Sequence, residues 1–117
     1  MQNTRQQKIE RLIQKDMSDI LLRYARSLYS RFHGVLVSVS EVRVSPDLAI
    51  AHIYLSIYPE SQEKPVMEQI EHDTPRLRGE LGTLERHQLR VIPELHFHLD
   101  DTIGRLEHID ELLRSDN

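Results

Sequence analysis

The chain has 117 residues, of which 38% are hydrophobic and 29% charged, and its formal net charge is −4. This length is typical of one domain with one small core. The lack of cysteine excludes a disulfide framework, a thiolate metal site and a cysteine nucleophile. No apolar run reaches the roughly 18 residues of a membrane span, and the first residues lack the apolar core of a signal peptide. We therefore expect one domain over residues 1–117, in the cytoplasm and without a membrane partner.

The charged side chains lie in alternating blocks along the chain. Residues 1–34 contain seven basic and three acidic side chains, and residues 74–92 contain four and two. Residues 35–73 and residues 93–117 are acidic, with two basic and seven acidic side chains each. Basic blocks of this kind indicate contact with nucleic acid, although solvated helix faces produce the same pattern.

The first long segment has the periodicity of an amphipathic helix. Its apolar residues recur every three or four positions: Ile9, Leu12, Ile13, Met17, Ile20, Leu21, Tyr24 and Leu28. At about 100° per residue, four basic residues fall opposite this stripe, and we call them the basic ridge: Lys8, Arg11, Lys15 and Arg26. Gln6 and Gln7 carry no charge, and replacing them is expected to change the contacts of this ridge little. The helix is predicted to end before Gly34.

Two strands are predicted after this helix. From Val35 the apolar residues alternate with polar ones, and their phase shifts near Ser40 and Glu41, which indicates a bulge. Residues 45–48 (Ser-Pro-Asp-Leu) have turn chemistry, and residues 49–58 alternate again. The pattern predicts an antiparallel hairpin.

The second half predicts two short helices, a third strand and a last helix. Asp73, Thr74 and Pro75 separate two apolar helical patterns; Asp73 and Thr74 are cap residues, and Pro75 suits the first position of the second helix. A strand follows over residues 94–99, and residues 103–113 have the pattern of a short amphipathic helix. The expected class is α+β with a three-stranded sheet, in the order helix–strand–strand–helix–kink–helix–strand plus a short C-terminal helix.

Two groups of side chains are candidates for function. His96 and His98 share one strand face, His52 lies on a predicted neighbouring strand and Asp100 is nearby, which is the arrangement of a possible metal-dependent enzyme. No complete ligand shell is evident, so we expect no metal, no cofactor and no catalytic residue. The second group extends the basic ridge with a further basic cluster: Arg76, Arg78, Arg86 and Arg90. If both helices pack on one side of the sheet, these eight residues form one RNA-facing surface.

Aromatic residues are scarce, with two Phe, four Tyr and no Trp, which favours recognition of backbone charge and RNA shape over base stacking. Besides an RNA-binding protein and a metal-dependent enzyme, a third hypothesis is an acidic protein–protein adaptor. Such an adaptor makes no RNA contact and uses the two acidic segments.

Several segments resemble the bacterial ribosome-binding factor A family. They are residues 44–48 (Val-Ser-Pro-Asp-Leu), 51–56 (Ala-His-Ile-Tyr-Leu-Ser), 77–82 (Leu-Arg-Gly-Glu-Leu-Gly), 92–97 (Ile-Pro-Glu-Leu-His-Phe), 100–103 (Asp-Asp-Thr-Ile) and 109–113 (Ile-Asp-Glu-Leu-Leu). The similarity covers about residues 6 to 113.

This resemblance implies a variant K-homology domain of the second type and a non-enzymatic, monomeric factor. The resemblance further implies that its partners are the small ribosomal subunit, with 16S rRNA and neighbouring ribosomal proteins, and that its roles are late assembly, rRNA processing near the 5′ end and growth in the cold. The chain departs from the family's Ala-x-Gly kink at Asp73, Thr74 and Pro75.

Overall fold

The computed structural model describes residues 4–28 and 31–100. Its elements are α1 (Thr4–Ser27), β1 (Leu36–Val44), β2 (Ile50–Tyr58), a 3-10 turn (Glu60–Gln62), α2 (Glu63–His72), α3 (Thr74–Glu85) and β3 (Glu94–Leu99). This confirms the predicted α+β class and the order of the helices and strands. The predicted C-terminal helix over residues 103–113 lies outside the described residues.

The three strands form one sheet in the order β1-β2-β3. β1 pairs antiparallel with β2, and the register shifts between Val39 and Glu41, so the predicted hairpin and its bulge are both confirmed. β3 runs parallel to β2, which requires a crossover, and α2 and α3 provide it. In the hairpin turn, Oδ1 of Asp47 accepts hydrogen bonds from the Ser45 hydroxyl (2.6 Å) and the Ala49 amide (3.1 Å).

The core lies between one face of the sheet and the helices. Ala51, Ile53 and Leu55 of β2 are fully buried, as are Ile13 and Met17 of α1. Each large side chain of this kind contributes roughly 1.5–3 kcal/mol by leaving water. Because the apolar stripe of α1 faces the sheet, the opposite side of the helix is left for other contacts. The second face of the sheet carries His52, Tyr54, Tyr58, His96 and His98, and we call it the open face.

Two polar side chains attach the start of α1 to the end of β1. The side-chain amide of Gln6 donates to the Val44 carbonyl (3.1 Å), and the Val44 amide donates to Oε2 of Glu10 (2.9 Å). Gln6 is only 4% exposed, so it is unsuited to the role of charge-neutral control that we expected for it. The physical reason is that β1 is an edge strand, whose free backbone groups need partners when a helix covers them.

The break between α2 and α3 lies at Asp73, because α2 ends at His72 and α3 begins at Thr74. Pro75 lacks the N–H group that a continuous helix would bond to the Glu71 carbonyl. Neither Asp73 nor Thr74 caps α3 with its side chain, contrary to our expectation. The backbone of Asp73 (φ −91°, ψ 5°) does not have the extended geometry of a usual N-cap, and the Thr74 hydroxyl instead donates to the Ile70 carbonyl (2.9 Å).

Candidate nucleic-acid interface

All four residues of the basic ridge are exposed along one side of α1. Lys8, Arg11 and Lys15 are three and four positions apart and therefore neighbours on the helix surface. The ion pairs found among residues 4–28 and 31–100 involve none of these three, nor Arg26. Because the apolar side of α1 is fixed on the sheet, the ridge points away from the core, and its charges are available to an external anion.

Arg76 and Arg86 are exposed but already contact other side chains. Arg76 forms an ion pair with Glu80 (3.6 Å), and its guanidinium lies over the Tyr24 ring, 5.8 Å from the ring centroid. Nε of Arg86 donates to Nε2 of His87 (3.3 Å). The Arg76 guanidinium is therefore placed against the C-terminal part of α1, and Arg86 follows the end of α3.

Arg78 has a structural partner that the sequence did not indicate. Its Nε donates to the Pro93 carbonyl (3.0 Å) and its Nη2 to the Ile92 carbonyl (2.6 Å). A planar guanidinium reaches two successive carbonyls in this way because its N–H groups form a fixed fork. Arg78 thus ties α3 to the segment that leads into β3, and two of its donors are occupied.

The two basic blocks of the sequence meet because α3 packs against α1. Arg5 and Lys8 from α1 line the same cleft as Arg90, which belongs to the segment after α3. We call this recess, of about 590 Å³, the basic cleft. Arg5 was not among the predicted RNA-binding residues, although its position in the sequence places it at the border of the ridge. Of the eight predicted residues, Lys8 from the first basic block and Arg90 from the second therefore line one recess.

A buried carboxyl group lies at the contact between the two helices. Glu85 of α3 is fully buried, and its burial, reinforced by the nearby carboxylate of Asp16, raises its pKa to about 8. The protonated form of Glu85 therefore predominates at neutral pH. As a result, Glu85 adds little negative charge near the surface that carries the basic residues.

The break between α2 and α3 carries an ionised carboxylate. Oδ2 of Asp73 accepts hydrogen bonds from the Tyr24 hydroxyl (2.7 Å) and the Gln69 amide (2.9 Å). These bonds, Gln69 first, lower the pKa of Asp73 to about 2. Burial, and then the bond to Asp73, raise the pKa of Tyr24. The break is thus a fixed polar junction, and its negative charge does not favour a phosphate at this point.

The histidines of the open face form a hydrogen-bonded stack. Nδ1 of His52 is 2.9 Å from Nε2 of His98, and the His98 ring stacks on Tyr54 with centroids 5.1 Å apart. The His96 ring lies 5.5 Å from that of His52. Burial, and then the neighbouring His52 and His96, lower the pKa of His98. Across residues 4–28 and 31–100, no three or more His, Asp or Glu side chains are arranged to hold a metal ion.

None of the helices described is long and apolar enough to cross a membrane.

A family model described as ribosome-binding factor A matches residues 5–113 of the chain. The chain belongs to the ribosome-binding factor A family. Its relatives of that name include one from Cytophaga hutchinsonii, 42% identical over 113 residues, which cover 97% of this chain and 83% of the relative. Another, from Christiangramia forsetii, is 41% identical over 114 residues, with the same coverage of 97% and 83%. The resemblance seen in the sequence is therefore confirmed.

Solved structures of the ribosome-binding factor A family have the same fold. The crystal structure of the Thermus thermophilus protein matches with a TM-score of 0.64 and 19% identity, covering 80% of this chain and 94% of that chain. A Thermus thermophilus homology model fitted into the cryo-EM map of a 30S complex matches with a TM-score of 0.60 and 22% identity, covering 74% and 86%. At these identities the likeness establishes the family fold.

Proposed function

We propose that this protein binds the free small (30S) ribosomal subunit and assists its late assembly, including processing of 16S rRNA near the 5′ end. Membership of the ribosome-binding factor A family supports the proposal, as does the Thermus thermophilus relative that has been fitted into a 30S complex. The structural observation that carries it is the row of Lys8, Arg11 and Lys15, three exposed cations fixed on one side of a well-anchored helix.

The contact operates by charge and shape, without catalysis. Phosphates of folded RNA bind the ridge, and each contact releases condensed counterions, which favours association. Arg26 continues the ridge along α1, and Arg90 extends the surface across the basic cleft, while Arg86 is exposed just after α3. Arg76 and Arg78 are the least available of the eight residues, because Arg76 pairs with Glu80 and Arg78 holds the carbonyls before β3.

The acidic parts of the chain suit a different neighbour on the same subunit. Residues 35–73 carry seven acidic and two basic side chains, so β1, β2 and α2 are poor phosphate binders. We assign them to contacts with neighbouring ribosomal proteins. In this account the protein acts as a cytoplasmic monomer, needs no metal or cofactor and contributes to growth in the cold.

Sedimentation tests the proposal directly. Affinity-tagged full-length protein in a cell lysate is expected to travel with free small subunits in a sucrose gradient, and not with translating ribosomes. A variant with Lys8→Gln, Arg11→Gln and Lys15→Gln is expected to move to the top of the gradient, whereas Lys64→Gln, at an exposed position of α2, is expected to stay with the subunit. Protein that remains at the top, or that follows translating ribosomes, contradicts the proposal.

A further inference from the structure

The basic cleft combines an aliphatic floor with a charged rim. It lies where the start of α1, the turn between β1 and β2 and the segment before β3 come together. Its volume of about 590 Å³ is within the usual range of about 300–1,000 Å³ for sites that take a small molecule or one group of a larger ligand. The space is therefore larger than a packing defect and sufficient for one nucleotide unit.

Among the residues that the structure describes, the floor of the basic cleft is apolar and contains no aromatic ring. It is formed by Ile9, Leu12, Leu48, Leu89 and Val91. Val91 is 73% exposed, although it is a large hydrophobic residue. Leu48 has a positive φ of 62°, a conformation that favours glycine or asparagine, and its side chain nevertheless packs on the core at this point. A floor of this kind takes up a flat apolar surface by removing it from water.

The rim of the basic cleft is cationic. Arg5, Lys8 and Arg90 lie around the floor, and the ion pairs found within the described part of the chain involve none of them. Within the described part of the chain, Asp47 is the one acidic residue of the lining. Its hydrogen bonds with the Ser45 hydroxyl and the Ala49 amide lower the pKa of Asp47. Its ionised carboxylate therefore stabilises the turn between β1 and β2. The rim thus carries three positive charges and one carboxylate that already accepts hydrogen bonds within the turn. This balance favours an anionic ligand.

We propose that the basic cleft binds one unpaired nucleotide of RNA, with the base on the aliphatic floor and its flanking phosphates on Arg5, Lys8 and Arg90. The inference rests on the proposed function and adds to it a site that contacts one base. RNA is favoured over an acidic protein segment because Lys8 belongs both to the ridge and to the rim. A phosphate backbone that follows the ridge therefore reaches the cleft without interruption, and the cleft offers its neighbouring base an apolar surface.

The test compares two RNA probes of equal charge with the full-length protein. One is a fluorescent oligouridylate of six nucleotides, and the other has the same backbone with all six bases removed. The oligouridylate is expected to bind about five- to tenfold more tightly, the gain of burying one base face. Val91→Ser is expected to abolish most of this difference and to leave the abasic probe unchanged. Leu36→Ser is the matched control, because Leu36 is also largely exposed but lies on β1, opposite Tyr58.

A direct contact measurement accompanies the affinities. Methyl groups of Leu48 and Val91 are expected to give nuclear Overhauser effects to uracil ring protons in the complex. Equal binding of both probes, or binding without these effects, overturns the base site. The triple variant of Lys8, Arg11 and Lys15 separates this failure from failure of the proposed function, because it must still weaken binding to the small subunit if only the base site is wrong.

One further probe addresses a protein ligand. A synthetic peptide with the sequence of residues 101–117, which is acidic and carries spaced aliphatic residues, represents the alternative chemistry. If this peptide shifts the methyl signals of Leu48 and Val91 and the oligouridylate does not, the cleft is a protein-binding site and the proposal is wrong. If only the oligouridylate shifts them, the assignment to RNA stands.

Discussion

The hydroxyl of Tyr24 donates a hydrogen bond of 2.7 Å to Oδ2 of Asp73, and this contact joins α1 to the break between α2 and α3. The two residues are 49 positions apart in the sequence. Since Asp73 also accepts from Gln69 of α2, one carboxylate links both helices at the point where α3 begins. This junction fixes the start of α3 relative to the C-terminal part of α1.

Tyr24→Phe is expected to lower the free energy of unfolding by about 1.5 kcal/mol, the usual value for a hydrogen bond to a charged group. The variant retains the ring and loses only the donor. Asp73→Ala is expected to cost less in the Tyr24→Phe background than in the parent, which urea denaturation in a double-mutant cycle measures. Tyr58→Phe is the control because Tyr58 is 68% exposed. Additive effects of the two variants would show that the bond contributes nothing.

The same junction is expected to respond to acid. The hydrogen bonds lower the pKa of Asp73 from 3.8 to about 2, so the unfolded chain takes up this proton before the folded one. The stabilisation is therefore complete above pH 3.8 and is lost as the pH falls towards 2. Tyr24→Phe is expected to reduce this acid dependence in urea denaturation below about pH 4. An unchanged dependence contradicts the assignment.

Glu85→Gln is expected to stabilise the protein at neutral pH and to remove a pH dependence. The pKa of Glu85 is about 8 in the folded protein and ordinarily 4.5 for a solvated glutamate, so folding takes up a proton between these values. Stability is therefore complete below pH 4.5 and falls as pH rises towards 8, by at most about 1.4 kcal/mol per pH unit. Thermal unfolding across this range measures the slope. Glu68→Gln, at an exposed position of α2, is the control, and a slope that Glu85→Gln leaves intact rules out Glu85 as its source.

The protein is expected to lose stability as the pH falls below neutrality, and His98→Gln is expected to make this loss smaller. Burial and the two neighbouring histidines lower the pKa of His98 below the ordinary 6.5, so protonation favours the unfolded chain. Its contribution is present above pH 6.5 and is lost as the pH falls through the lowered value. Chemical denaturation on both sides of this pH measures it, with exposed His87→Gln as the control.

The open-face histidines are expected to be dispensable for ribosome binding. His96→Gln with His98→Gln is predicted to keep association with the small subunit within a few-fold of the parent, because the described residues around them form no metal site. Tight stoichiometric zinc that survives dialysis, together with loss of function in this variant, contradicts that expectation.

Arg78→Gln is expected to lower stability, whereas Arg86→Gln is expected to leave it unchanged. Arg78 donates to two backbone carbonyls before β3, and each lost hydrogen bond costs about 1 kcal/mol. Arg86 contacts only the neighbouring His87 side chain among the hydrogen bonds described. Thermal unfolding of the two variants separates a structural arginine from a surface one. Equal melting temperatures would show that the Arg78 contacts are not formed.

Local patterns predicted the elements of this fold, and tertiary contacts decided the roles of individual polar residues. The period of two and its shift predicted the hairpin with its bulge at Val39 and Glu41, because side-chain alternation follows directly from strand geometry. The period of the first helix predicted which basic residues are exposed. Asp73 resembled a helix cap because capping depends on residue type, but its carboxylate is used by Tyr24 from another part of the chain.

Other roles left no local signal. Glu85 stands at the end of a helix, where a glutamate is ordinarily solvated, and only the packing of α3 on α1 buries it beside Asp16. Gln6 is a polar residue of the kind usually found at the surface, yet its side-chain amide donates to the Val44 carbonyl. The basic cleft needs three segments that are distant in sequence, so its residues are recognisable as a group only in the fold.

The central claim is that Lys8, Arg11 and Lys15 bind phosphates of the small ribosomal subunit. The most direct test measures the affinity of the full-length protein for purified small subunits between about 50 and 200 mM KCl at constant Mg²⁺. Each phosphate contact contributes a slope of roughly 0.7 to 0.9 in log K against log salt, so replacing all three residues by Gln is expected to weaken binding and flatten the slope by about two to three units. Gln7→Ala and Lys64→Gln, at an exposed position of α2, are expected to change the slope little. A triple variant that retains both the affinity and the salt dependence of the parent contradicts the account.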